Sequence, residues 1–254
     1  LFGVIGSAFG GGLFWGIAAG ILSAVVVSII FAYFHLVLKA NSVLCGTAIN
    51  TIAAGLTVFV LQLLTGEKGS SSSLNSFQFP TLNIPIVENI PVLGRILSGH
   101  NILTYLGLLM VFLIHLFFYR TPIGLRIRAV GETPKAAESV GINVVHIRLL
   151  AILLCGIMAG FGGMYLSMGY LPMFTRDMVA GRGFIALAAN AMGQSTPVGV
   201  LVSSLLFSFF DGLSNILQML RIPAEFIQML PYAATILFLT LYSIKKYMVK
   251  SKGE

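Results

Sequence analysis

GETPKAAESVGIN, residues 131–143, separates two apolar stretches, about 100–119 and about 147–170, each long enough to cross a bilayer. Three charged side chains, a proline and two glycines in thirteen residues cannot rest in hydrocarbon, so the chain must surface here between two crossings. The remaining runs follow the same logic. Residues 1–9 end one helix, Gly10 to Gly12 mark a turn, and further helices are predicted over about 13–37, 43–65, 197–217 and 227–244. With 57% hydrophobic and 9% charged residues and a mean hydropathy of +0.96, the chain falls outside the soluble class. Runs of about 20 apolar residues imply helices; barrel strands would alternate over about ten. The expected fold is therefore all-α, a polytopic membrane bundle forming a single domain over 1–254.

The charge of +7 is better explained by membrane topology than by nucleic acid. Lys39, Arg120, Arg126, Arg128, Lys135, Arg148, Lys245, Lys246, Lys250 and Lys252 fall at one set of loop ends. Lys68, Arg95, Arg176, Arg182 and Arg221 fall at the other. The richer side is expected to be cytoplasmic, placing segment 120–146 and tail 245–254 inside and leaving 66–99 as the one substantial external loop. Within that loop GEKGSSSSLN is flexible by composition, and NIPIVENIPVLG favours extended backbone. The start at Leu1, already inside an apolar run, points to an amino-terminal truncation.

GRGFIALAANAMG (181–193) is too short to span alone. It reads either as a half-helix that re-enters the membrane or as part of a tilted crossing beginning near Asp177. It faintly echoes NSVLCGTAINTIAAG (41–55), each with Gly, small residues and Asn in mid-run, as in transporters built from repeats.

Within the opening stretch, Thr133 can cap a helix, Pro134 suits its first position and Gly141 the left-handed residue past its end. Residues 134–140 thus read as two helical turns, about 10 Å long. Ala136, Ala137 and Val140 share one small apolar face. Motif chemistry leaves two readings open here, a capped loop obeying the charge rule and a knob that docks into another protein.

Asp211, in SFFDGLSNILQ, is either a functional carboxylate or a group near the wet end of its helix. Thr47, Asn50, Asn190, Asn215 and Gln218 offer donors and acceptors suited to ribose hydroxyls or a base edge, and Asn and Gln also serve as interhelical glue. Asn50 and Asn190 are read as pathway residues. Phe174, Phe184 and Phe226 could stack on a base, although packing accounts for any one of them. His35 and His115 lack companions at metal-ligand spacing, and no metal site is expected. Cys45 and Cys155 read as packing residues without a disulfide. No Gly-Lys-Ser/Thr phosphate loop or serine-histidine-acid arrangement is present, so no catalytic role and no bound cofactor are assigned.

RTPIGLRIRAVGETPKAAESVGINV (120–144) resembles the cytoplasmic coupling segment of permease subunits of ATP-binding-cassette importers, in the branch serving branched-chain amino acids, ribose-type sugars and nucleosides. AGRGFIALAANAMGQSTPVGV (180–200) resembles that branch's second signature. LKANSVLCGTAIN (38–50) and LPY (230–232) are most similar to nucleoside-uptake permeases. The chain lacks the earlier helix and Gly/Asn/Glu-bearing stretch with which the family usually begins, and Asn190 stands where an apolar residue is expected. The resemblance implies that Gly131, Glu132, Thr133, Pro134, Lys135, Ala136, Ala137, Val140 and Gly141 couple to a cytoplasmic ATPase, which uses ATP and Mg. It also implies a second, non-identical permease and an external solute-binding lipoprotein, in a bacterial plasma membrane. An ion-coupled secondary transporter, with Asp211 central, is the rival from another class.

Overall fold

A computed structural model describes residues 1–82, 98–217 and 240. The described helices are α1 (Phe2–Gly10), α2 (Leu13–Ala32), α3 (Ser42–Thr65), α4 (Ile102–Arg120), α5 (Pro122–Glu132), α6 (Pro134–Ser139), α7 (Val144–Met164), α8 (Arg182–Met192) and α9 (Pro197–Leu217). α2 and α7 each run on into a wider π-helical turn, Tyr33–Val37 and Tyr165–Tyr170. The only described sheet pairs β1 (Thr81–Leu82) with β2 (His100–Asn101), antiparallel, with Thr81 opposite Asn101. Five of these helical stretches are long and apolar enough to cross a membrane: Leu13–Val37, Ser42–Thr65, Ile102–Arg120, Val144–Tyr170 and Pro197–Ser214. Large apolar side chains such as Leu22, Ile29, Ile52, Phe59 and Phe112 stand exposed along them, as a lipid-facing surface requires. All of NIPIVENIPVLG, the LPY stretch, the tail and, apart from residue 240, the expected helix over 227–244 lie outside the described residues.

The chain divides into two units, one formed by 1–110 and 116–180, the other by 111–115 and 181–254. In the first, α1 turns back onto α2 through Gly11, whose left-handed φ of 67° closes the three-glycine turn. α2 then packs on α7 along a seam of small residues. A Cβ on Gly160 would lie 2.9 Å from the Ala24 Cβ, and one on Gly156 would overlap the Ser28 hydroxyl. Lipid supplies no hydrophobic drive between helices, so this close backbone approach, and the dispersion contact it allows, holds the pair together.

The core of this unit lies toward one end, where Val4, Leu103, Met164, Met168 and the loop residue Phe79 cluster. GEKGSSSSLN, expected to be flexible, is instead fastened there. Ser71 is fully buried, its hydroxyl accepting from the Phe174 N–H at 2.9 Å while its own N–H donates to the Phe174 carbonyl at 2.9 Å. Arg176 N–H donates to Gly69, the Ser76 hydroxyl to Pro172, and Phe79 N–H to Met168. Asn101 closes the arrangement, donating to the Phe79 carbonyl and accepting from Leu103 N–H, both at 2.9 Å. Serine-rich composition argues for flexibility only while the hydroxyls and amides have water alone to bond. Here the segment finds partners in Pro172, Phe174 and Arg176, in the stretch that follows the π-helical turn after α7. The two segments joined are those that hydropathy parity places on one side.

In the second unit α8 and α9 pack on each other across the turn at Gly193 to Thr196. Gln194 and Ser195 are both left-handed, at φ 53° and 54°, a strained pair for side-chain-bearing residues. Arg182–Met192 is a helix of 11 residues, about 16 Å long, shorter than a bilayer core.

Candidate functional site: the helical corner at 120–143 and the polar stripe of α3

Three Thr-Pro steps, at 121–122, 133–134 and 196–197, each open a helix. At two of them the threonine caps. The Thr121 hydroxyl accepts from Gly124 N–H at 3.1 Å and donates to the Phe117 carbonyl, and Thr196 accepts from Gly199 N–H at 3.2 Å. In both, glycine stands three residues past the cap, where the chain folds back on itself; a Cβ at Gly124 would strike the Phe117 carbonyl. The third step carries Ala136 at that place. Thr133 adopts φ −141°, ψ 87° and makes no side-chain cap, contrary to expectation, and only its carbonyl takes part, accepting from Ala137 N–H at 3.1 Å.

The other end of this short helix is closed as expected. Gly141, at φ 82°, donates to the Glu138 carbonyl at 2.9 Å and Ile142 to the Ala137 carbonyl at 3.1 Å, the paired bonds of a Schellman stop. The helix is Pro134–Ser139, with Val140 at its C-cap. The three apolar residues expected on one face divide. Ala137 is buried at 4% exposure in a helix packed against α5 and α7, whereas Ala136 is exposed and Val140 is 74% exposed. Gly131, Glu132, Thr133 and Lys135 are exposed and Pro134 half-buried. What projects is therefore a small rod, fixed inward by one alanine and outward-facing at Ala136 and Val140.

α5 was not anticipated as a helix. Its signal was present in Thr121-Pro122 followed by a run alternating apolar and basic residues; reading 120–146 as one polar segment hid it.

On α3, Thr47, Asn50, Thr51, Ala54 and Thr57 follow at three- and four-residue spacing and so share one face. The threonine hydroxyls turn back to their own helix, Thr47 to Leu44, Thr51 to Thr47 and Thr57 to Ala53, at 2.7–3.0 Å. Asn50 is exposed, and its amide has no partner among the described residues. Thr51 and Thr57 extend the stripe beyond the two positions singled out in the sequence; the heptad-like spacing from Thr47 and Asn50 was the available clue. Asn190, in the other unit, braces the turn after α8. Its backbone carbonyl accepts from Ser195 N–H at 3.0 Å, and its side-chain amide makes a long 3.4 Å contact with the Ser195 hydroxyl. Asn215 lies on α9; Gln218 and Phe226 lie outside the described residues. Asp211 is exposed on α9. Phe174 rims the core, Phe184 is exposed, and His35 is held by the Ala40 carbonyl at 3.1 Å and stacked on Phe31. Among the described residues no group of three or more His, Cys, Asp or Glu side chains could hold a metal.

Comparison with known proteins bears on what such a corner and stripe serve. The family model described as branched-chain amino acid transport system / permease component matches residues 1–239. The nucleoside ABC transporter permease protein NupC of Lactococcus lactis subsp. cremoris is 35% identical over 92% of this chain and 75% of its own length. The guanosine ABC transporter permease protein NupQ of Bacillus subtilis is 35% identical over 87% of this chain and 71% of its own. A second lactococcal protein, the nucleoside ABC transporter permease protein NupB, is 29% identical over 61% of this chain and 43% of its own. No solved structure matches. With the family model covering nearly the whole chain and five helices fit to span a membrane, this chain belongs to the permease-component family of branched-chain amino acid type transport systems, as a multi-pass membrane protein.

Proposed function

We propose that this chain is the membrane-spanning permease subunit of an ATP-driven importer of nucleosides in the bacterial plasma membrane. Its relatives named for nucleoside and guanosine transport support the solute. The observation that carries the mechanism is the α6 rod, closed by a Schellman stop and presenting Ala136 and Val140 outward at a corner between two spans. A rod held so firmly at its base transmits force when gripped, which is the work of a coupling element. In this reading a cytoplasmic ATPase, the chain that uses ATP and Mg, receives the residue 131–141 segment. Nucleotide binding favours one of two conformations and so shifts the membrane helices between them.

Asn50 on the α3 stripe, with Thr47 beside it, supplies donors and acceptors to ribose hydroxyls or base edges, and Asn190 and Asn215, in the other unit, are read as solute-pathway residues of that unit. A second, non-identical permease completes the pathway, a reading supported by the likeness to two differently named permease proteins of one organism. An external solute-binding lipoprotein delivers the nucleoside to the side bearing the fastened 69–79 loop.

The test is uptake of labelled nucleosides in cells whose ATP is depleted while the membrane potential is clamped. Uptake is expected to stop, with unlabelled nucleosides competing better than ribose or leucine. Uptake that persists on the potential alone would establish an ion-coupled carrier; competition won by ribose or leucine would reassign the solute.

A further inference from the structure

The corner between α4 and α5 is fastened at two points, one at the joint and one further out. A single extended residue, Thr121 at φ −107° and ψ 148°, separates the two helices, and by itself such a joint leaves α5 free to swing about α4. The first fastening acts at the joint. The Thr121 hydroxyl bridges the Phe117 carbonyl and Gly124 N–H, and a Cβ on Gly124 would lie 2.6 Å from the Phe118 Cα. The first turn of α5 is thus laid against the backbone of the last turn of α4.

The second fastening lies one turn along the same face. Arg128 follows Gly124 by four residues, so the two positions stand one above the other on α5. The Arg128 guanidinium carbon is 4.5 Å from the centre of the Tyr119 ring, within cation–π range. At 1.5 Å per residue this contact acts about 10 Å from Thr121. A bond at a pivot opposes rotation with almost no arm, whereas a contact held out along the helix opposes it with the whole of that arm. Arg126, two residues away and also exposed, points to another side of α5. α5 in turn bears the rod, since α6 packs on α5 and α7, and α5 packs on α7. Movement of α6 reaches α7 by this packing, and it reaches α4 through the corner.

Resting on the coupling role given to α6 above, we propose that Arg128 is a positioning residue of coupling: stacked on Tyr119, it makes α4 and α5 one rigid lever, so that a stroke applied to the rod moves span α4 together with span α7. Without the stack α5 pivots at Thr121, and part of the stroke is taken up in swinging α5 while α4 stays behind.

The experiment has two arms, so that the lever and the coupling role can fail separately. In the first, the full chain in nanodiscs, with Cys45 and Cys155 replaced by alanine, carries spin labels at the exposed positions Leu109 on α4 and Ala129 on α5, and the spread of distances between them is read by double electron–electron resonance. Arg128→Gln and Tyr119→Leu should each broaden that spread. Tyr119→Phe, which keeps the ring face, and Arg126→Gln, which removes a like charge from another side, should not. In the second arm the chain is assembled with its partner permease and ATPase, and nucleoside moved per ATP hydrolysed is measured. Arg128→Gln and Tyr119→Leu should lower that ratio roughly two- to fivefold, the population shift that loss of an exposed cation–π contact allows, at unchanged ATPase affinity. The double variant should be no worse than either single one. An unchanged spread in Arg128→Gln, equal broadening by Arg126→Gln or Tyr119→Phe, or additive losses in the double variant would each overturn the lever. A broadened spread with an unchanged transport ratio would overturn its part in coupling. An ATPase that fails to bind the unaltered chain would refute the coupling role of α6, and this positioning role with it, even where the first arm shows the lever.

Discussion

Val140→Glu separates a docking rod from a merely well-capped turn. Val140 is 74% exposed and sits at the C-cap with φ −96° and ψ 16°, outside the helical hydrogen bonds, so the substitution leaves the rod's own fold intact. Complete burial of a valine side chain stabilises by roughly 1.5 kcal/mol, so covering the exposed three-quarters of Val140 contributes about 1 kcal/mol to association. Val140→Ala should therefore weaken ATPase binding by roughly fivefold. Glutamate adds an unpaired charge at the contact. Leaving a charge buried without its partner costs about 3 kcal/mol or more, which is at least a hundredfold in affinity. The assay is the affinity of the purified ATPase for the permease in nanodiscs, read alongside nucleoside-stimulated ATP hydrolysis. Ala137→Glu is the contrasting variant, because Ala137 is buried in a helix packed on α5 and α7 and its replacement disturbs the corner itself. Binding by Val140→Glu no weaker than that of Val140→Ala would refute the reasoning.

Gly156→Ala should lower thermal stability in detergent by about 1–3 kcal/mol, since a Cβ there overlaps the Ser28 hydroxyl; adding Ser28→Gly should recover part of the loss, and additive losses would show that the two do not meet. Ser71→Ala removes the acceptor for Phe174 N–H in a fully buried place, at a cost of about 1–3 kcal/mol, and should speed amide exchange at Phe174 and Arg176; unchanged exchange would mean the loop is not fastened there. Asn50→Ala should cut nucleoside uptake at unchanged membrane insertion, and so should Asn190→Ala, which keeps the backbone carbonyl that accepts from Ser195 N–H and loses only the long side-chain contact with the Ser195 hydroxyl. Normal uptake with unchanged solute preference in both variants would remove them from the pathway.

The spans were legible because hydrocarbon demands about 20 apolar residues whatever the neighbours are, and the described helices reproduce the expected stretches within a few residues. The stop after α6 was legible for a local reason, since only glycine occupies a φ of 82° at little cost. Misreadings came where partners distant in sequence decide. Ser71 is ordered by Phe174, more than a hundred residues on, and no property of GEKGSSSSLN announces that. Thr133 makes no side-chain cap, and its backbone differs from that of the capping Thr121, with ψ at 87° against 148°, although the two Thr-Pro steps read alike in sequence. Ala136 and Ala137 are identical in composition and adjacent in sequence, and only the packing of α6 on its neighbours decides which of them faces outward. The polar stripe of α3 was half legible, with Thr47 and Asn50 recognised and Thr51 and Thr57 passed over.

Val144–Tyr170 is one helical stretch of 27 residues, about 40 Å from end to end. Its first turns lie beside α6, and the residues after it hold the serine-rich loop. The two ends of this crossing are thereby joined by one continuous helix, so that a displacement at its foot needs no relay of intermediate side chains to act on the far end. Under the proposed function, the ATPase and the solute-binding protein would bear on opposite ends of this one shaft. The wider π-helical turn at its far end, Tyr165–Tyr170, interrupts the regular hydrogen-bond ladder and is the place where such a stroke would be redirected.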